Sequence, residues 1–178
     1  MNANTIRSGA NTGDTALVRG ISIGSLGGLV GTIVMDLFGA VMFLALGGPA
    51  SLSFSIIGDA AAGFFSMFGI VMSGGTPLGA ILHYLIGLAL GGILGVAVIR
   101  ISALRVDSMK KGIALGILFV EVMSQPLLVT AAVVLKMTAS QTMQWFGVSF
   151  IMHLVYGGIL GAIVSRLKYQ ARNDEIQG

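Results

Sequence analysis

The sequence contains no cysteine, and only 10% of its 178 residues are charged. The absence of cysteine excludes disulfides, thiolate metal sites, cysteine-ligated iron–sulfur clusters and cysteine nucleophiles. Soluble domains carry roughly a quarter charged residues, so this chain has too little polar surface for a water-exposed fold. Apolar residues make up 55% of the chain, and 27 residues are glycine. The composition therefore predicts an integral membrane protein in contact with the lipid bilayer.

Four apolar runs reach the roughly 20 residues needed to cross a hydrocarbon core of about 30 Å. They predict transmembrane helices over 21–46, 78–99, 112–135 and 143–167. A fifth segment, 52–72, carries Ser55, Asp59 and Ser66 at helical spacing, with phenylalanines elsewhere around the helix. This pattern is amphipathic and predicts a helix that lies in the membrane interface or re-enters it.

Basic residues mark three zones next to the predicted spans. These are Arg7 and Arg19; Arg100, Arg105, Lys110 and Lys111; and Arg166, Lys168 and Arg172. With four spans all three zones lie on one side, as the positive-inside rule requires of the cytoplasmic side, whereas a fifth span would separate the first zone from the others. We therefore expect a multi-pass protein of the cell membrane with both termini cytoplasmic. The charges sit at span ends and form no nucleic-acid-binding patch.

The predicted organisation is a single all-α transmembrane domain over 21–168. A flexible cytoplasmic tail over 1–20 precedes it, and a second tail over 169–178 follows. The segment 52–72 is placed on the outer face.

The two halves of the domain share a weak repeat. Asp36 in the first span and Glu121 in the third each follow a glycine by five residues. His83 and His153, in the second and fourth spans, each begin the pattern H-x-x-x-G-x-x-x-G. Both halves run in, out and in again, which predicts two parallel hairpin repeats, an arrangement some transporters use.

Ionisable side chains inside a bilayer cost at least about 2.5 kcal/mol each when unpaired, so all four are expected to face the bundle interior. Two interpretations follow. Asp36, His83, Glu121 and His153 could form a transition-metal site for copper, zinc or iron, or a proton path, since imidazole and carboxylate suit both. Alternatively each half holds a structural carboxylate–histidine pair that joins two helices, and this second interpretation is favoured.

Glycines at four-residue spacing allow helix backbones to approach closely. The predicted packing residues are Gly24, Gly28, Gly31, Gly87, Gly91, Gly95, Gly157 and Gly161. Packing within the chain is favoured over packing against another subunit.

Two motifs, G-x-x-G-T-x-x-M-D from Gly28 to Asp36 and L-G-A-x-x-H-x-x-x-G from Leu78 to Gly87, resemble those of small four-span prokaryotic membrane proteins of uncharacterised function. The resemblance implies a helical bundle and implies no activity.

The favoured function is that of an accessory or structural subunit of a larger membrane complex, such as a redox or energy-converting one. Its partners would be other membrane subunits or further copies of the chain. The alternative is a small proton or metal-ion transporter or channel that uses the four buried residues. A membrane enzyme with a histidine–carboxylate metal centre is less favoured, because no G-x-S-x-G, P-loop, haem-attachment or H-E-x-x-H motif is present.

Overall fold

The computed structural model describes the backbone of residues 3–167 and the side chains of residues 14–167. This part of the chain is all-helical. Its helices are α1 (Ala3–Ala45), α2 (Leu52–Ser66), α3 (Gly75–Arg100), α4 (Met109–Val134) and α5 (Ala139–Val164), with a short 3-10 helix at Ser102–Leu104. Four of them, α1, α3, α4 and α5, are long and apolar enough to cross a membrane, as predicted.

Helix α1 extends further toward the N-terminus than its predicted span. The segment 1–20, predicted as a flexible tail, is helical from Ala3 onward. No proline interrupts this stretch, and Gly20 already packs against the Gly95 backbone of α3, so the packed face begins before the apolar run does. The predicted tail over 169–178 lies outside the described residues.

Helix α2 ends at Ser66, six residues before the predicted boundary at Met72. Gly69 has a left-handed backbone with φ of +78°, a conformation that ends helices. The N–H of Ile70 donates to the carbonyl of Phe65 at 3.2 Å and closes the last turn. The rest of the predicted segment is a non-helical link to α3.

Helices α1 and α3 form one antiparallel hairpin, and α4 and α5 form the other. In each hairpin the backbones meet at glycines, since a Cβ added at Gly24 would overlap the Gly91 carbonyl oxygen and one added at Gly116 would overlap that of Gly157. Gly28 meets Gly87 in the same way, and Gly161 meets the Gly112 carbonyl. Only residues without a side chain permit this approach.

These contacts also bring the basic residues together at one end of the bundle. Gly20, in the first half of α1, meets Gly95 near the end of α3, and Gly112 at the start of α4 meets Ser165 just after α5. We call this the basic end, and it carries Arg19, Arg100, Arg105, Lys110, Lys111 and Arg166.

The two hairpins are not joined symmetrically. Helix α1 packs extensively on α5, whereas α3 and α4 make few contacts with each other. Helix α2 occupies the space between them, packed closely on α3 and more lightly on α4. This arrangement leaves a space within the bundle, beneath α2.

Candidate functional site

The first carboxylate–histidine pair lies within the α1–α3 hairpin. His83 Nε2 is 3.0 Å from Asp36 Oδ1, and the two side chains are only 16% and 11% exposed. The distance suits a hydrogen bond, but the angle between the two groups is not that of a well-directed one, and Tyr84 lies close to the same carboxylate. The pair is therefore a close contact between a carboxylate and an imidazole across the α1–α3 hairpin.

The second pair lies within the α4–α5 hairpin and includes a serine. His153 Nδ1 is 3.8 Å from Glu121 Oε2, too far for a hydrogen bond, and 3.1 Å from Ser124 Oγ. The same hydroxyl lies 3.2 Å from the main-chain oxygen of Glu121, to which it can donate. Glu121 Oε1 is buried and has no hydrogen-bond partner in the described chain. Ser124 thus positions the His153 imidazole, and the Glu121 carboxyl group lies close to that ring without a direct hydrogen bond.

Both pairs lie at nearly the same height in the bundle. The hydroxyl of Tyr156 on α5 donates to the carbonyl of Gly87 on α3 at 2.7 Å, which fixes the two helices relative to each other. His153 precedes Tyr156 by three residues and His83 precedes Gly87 by four. Helices α3 and α5 both run toward the basic end. Each histidine therefore lies about one helical turn, roughly 5 Å, farther from the basic end than this bond.

The two histidines line one cavity of about 360 Å³. Asp36 and Glu121 do not line it, so each carboxylate lies behind its histidine as seen from the cavity. Apolar side chains make up most of the wall, and the other polar groups in it include Ser124, Ser149 and Thr32. Thr32 has its hydroxyl bonded to the Gly28 carbonyl at 2.9 Å. The two imidazoles are therefore the main polar groups of the wall that could bind a ligand or a water molecule.

Helix α2 covers the cavity at the end opposite the basic end. Ser53, Ile57, Ala60 and Phe64 form part of the lining. The polar side of α2 faces the start of α3 instead, where Asp59 Oδ1 accepts from the N–H of Gly75 at 2.7 Å and Ser55 Oγ lies 2.9 Å from Thr76 Oγ1.

Both sides of the amphipathic helix α2 therefore contact other parts of the protein. Its polar side caps a helix, since the first N–H groups of α3 have no partner within that helix. Its apolar side closes a cavity.

The single tryptophan is also part of the wall. Its indole N–H donates to the carbonyl of Leu128 at 3.3 Å and so holds the start of α5 against the end of α4. Trp145 lines the cavity and is partly buried.

The predicted residues Asp36, His83, Glu121 and His153 come together as two pairs. Within residues 14–167 there is no group of three or more histidine, cysteine, aspartate or glutamate side chains placed to hold one metal ion. Sequence reasoning missed the cavity that both histidines share. It also missed the role of Ser124, although its position three residues after Glu121 places both on one helix face.

The eight predicted packing glycines lie at contacts within the chain. Gly24, Gly28, Gly87, Gly91 and Gly95 meet across the α1–α3 seam, and Gly157 and Gly161 meet α4. The remaining one, Gly31, contacts the Tyr156 ring and main chain, so it joins the two hairpins.

The sequence matches no protein-family model, and comparisons with curated proteins and with solved structures found no significant match.

Proposed function

We propose that this chain is a small proton transporter in which the two carboxylate–histidine pairs hold and release protons at a shared intramembrane cavity. The observation that carries the proposal is the placement of His83 and His153 at one height on one cavity, each backed by a carboxylate. Ionisable residues inside a membrane bundle are functional candidates by default, and chains of Asp, Glu and His serve as proton relays.

The hydrogen bonding supports a titrating site over two structural pairs. A pair that served only to join helices would be expected to satisfy its buried polar atoms. Here Glu121 Oε1 is buried without a hydrogen-bond partner in the described chain, and Asp36 and His83 touch at 3.0 Å without a well-directed hydrogen bond. A proton held between the carboxylate and the histidine of a pair would give these atoms a partner, and buried carboxylate and histidine groups serve as proton relays in membrane proteins.

The packing supports an alternating-access carrier over an open channel. Leu94, Leu160 and Val164 are at most 1% exposed, and they lie between the cavity and the basic end. Packed apolar side chains therefore separate the cavity from the basic end. A carrier closes one side while the other opens.

The geometry favours protons over metal ions as the transported species. Transition-metal sites in proteins use three or four ligands, whereas each pair here offers one imidazole and one carboxylate. Metal analysis of the purified protein distinguishes the two ions. A stoichiometric metal lost in both His83→Ala and His153→Ala would replace the proton proposal with the metal one.

The test of the proposal is proton flux in vesicles that contain the purified chain, followed with an internal pH-sensitive dye. Glu121→Gln and Asp36→Asn should each abolish the flux while the protein still folds and inserts, since both changes keep the side-chain shape and remove the titrating oxygen. Asp107→Asn, at a carboxylate that is 67% exposed near the basic end, is the matched control and should leave the flux unchanged. Equal flux in all three variants would overturn the proposal.

Orientation and location follow from the basic end. We place it on the cytoplasmic side of the cell membrane, with both termini there, because basic residues concentrate on that side of membrane proteins. Tags at the N-terminus, at Asp107 and at the C-terminus should then report the cytoplasm, and a tag after Gly74 should report the outside. Opposite results at the two termini would contradict the placement.

The accessory-subunit interpretation stays a second proposal. The predicted glycine seams, which could have faced another subunit, are occupied by contacts within the chain. Many of the exposed residues of α1, α4 and α5 are large and apolar, which suits either lipid or a partner helix. Native mass spectrometry in mild detergent distinguishes the two, since a lone monomer with full flux is expected from a transporter.

A further inference from the structure

The cavity is closed least well on the side between α2 and α4. Phe64 on α2 and Leu127 on α4 both line it, yet they are 38% and 49% exposed. Leu127 lies within a candidate membrane span and Phe64 within a shorter apolar helix, so we expect their exposed surfaces to face the bilayer. A membrane-soluble molecule would therefore reach the cavity sideways, from the lipid.

The cavity has the size and surface of a small-molecule site. Ligand pockets measure about 300–1,000 Å³ and combine an apolar wall with a few polar groups that fix orientation. At about 360 Å³ this cavity holds a ring but no long chain. An attached tail would pass between Phe64 and Leu127 into the bilayer.

Each imidazole has a nitrogen that faces away from the side chain it contacts in its own hairpin. His83 turns Nε2 to Asp36, which leaves Nδ1, and His153 turns Nδ1 to Ser124, which leaves Nε2. Neutral histidine has one donor nitrogen and one acceptor nitrogen, and the group on the far side selects the tautomer. The free nitrogen can thus donate to a carbonyl or accept from a hydroxyl, according to where the proton of the pair resides.

We infer that this cavity binds a neutral, membrane-soluble ring bearing two oxygen substituents, the chemistry of a quinone or its hydroquinone, with one oxygen at His83 and the other at His153. A lipid acyl chain fits the wall less well, because it would leave both imidazole nitrogens buried without a partner, which is costly. The inference concerns binding only and does not depend on proton flux.

The chain provides its own probe of this site, because Trp145 is its single tryptophan and lines the cavity. The experiment is a titration of the full chain in lipid nanodiscs with decyl-substituted benzoquinone, followed by quenching of tryptophan fluorescence. Decylbenzene, which has a six-membered ring of similar size, the same tail and no oxygen, is the matched ligand control. We expect saturable quenching that decylbenzene does not relieve.

Variants locate the binding. Ala131→Phe fills the cavity from α4 and should abolish the saturable part, whereas Val129→Phe, two residues away on the exposed side of the same helix, should not. If Ala131→Phe fails to fold, Ala61→Leu on α2 fills the cavity from another wall and should give the same loss.

The polar contact is tested separately. His153→Leu should raise the Kd about two- to tenfold, the usual range for one hydrogen bond, and His153→Gln should restore part of the loss. Displacement by decylbenzene as strong as by the quinone would show that the cavity accepts any apolar chain and would overturn the inference. Linear quenching of equal slope in wild type and Ala131→Phe would also overturn it.

Discussion

Replacing Gly91 by alanine tests whether the α1–α3 seam depends on the absence of side chains. An added Cβ at this position would overlap the Gly24 carbonyl oxygen and lie 2.9 Å from both N and Cα of Gly28. Ordinary contacts between such atoms are about 3.5–4.0 Å, so the helices must separate by roughly 1 Å. A forced shift of this kind in a packed interior costs about 1–3 kcal/mol. The separation would also move Asp36 away from His83.

The measurement is the free energy of unfolding in bicelles, by steric trapping or by denaturation in mixed detergent. Alanine also favours a helix over glycine by up to about 1 kcal/mol, which works against the destabilisation. Gly158→Ala isolates this term, because Gly158 lies inside α5 and an added Cβ there meets no atom within 4 Å. We expect Gly91→Ala to be less stable than Gly158→Ala by about 1–3 kcal/mol. Equal stability of the two variants would refute the close-packing argument.

Two further substitutions test the bonds that hold the site together. Tyr156→Phe removes the 2.7 Å hydrogen bond to the Gly87 carbonyl. It should lower the free energy of unfolding by about 0.6–1.7 kcal/mol, the range of interhelical hydrogen bonds in membranes. No change would mean that the bond contributes nothing to joining the hairpins. Asp59→Ala removes the acceptor at the start of α3 and should cost about 0.5–2 kcal/mol, as capping residues do. Faster hydrogen exchange in 70–75 should accompany the loss, and Asp59→Asn, which keeps an acceptor oxygen, should show little of it.

Much of the fold followed from the sequence because the membrane limits the choices. Long apolar runs must be helices, and the three basic zones allow only an even number of spans if they share a side. The matching positions of Asp36 and Glu121, and of His83 and His153, then predicted which helices face each other. That prediction depended on spacing alone, and the structure has each carboxylate beside the expected histidine.

The cavity could not be predicted in this way, because it depends on how the two hairpins meet. A symmetric repeat would bring α3 to α4 as closely as α1 to α5, but Gly31 and Gly39 admit Tyr156 and Met152 only on the α1–α5 side. The position of α2 could not be predicted from the sequence either. Its polar residues suggested water or headgroups, whereas Asp59 is used to cap α3.

A disulfide between α2 and α4 tests whether α2 moves to open the cavity. A Cβ built at Gly63 lies 4.0 Å from the Cβ of Val134, within the range of about 3.5–4.5 Å found in disulfides, and the chain has no other cysteine to interfere. The pair Gly63→Cys and Val134→Cys closes the side marked by Phe64 and Leu127. Oxidation should therefore slow proton flux, because it prevents α2 from moving, and a reductant should restore it. The single cysteine variants, treated with the same oxidant, should be unaffected. If the oxidised protein carries protons as fast as the reduced one, α2 is a fixed part of the wall and the opening lies elsewhere.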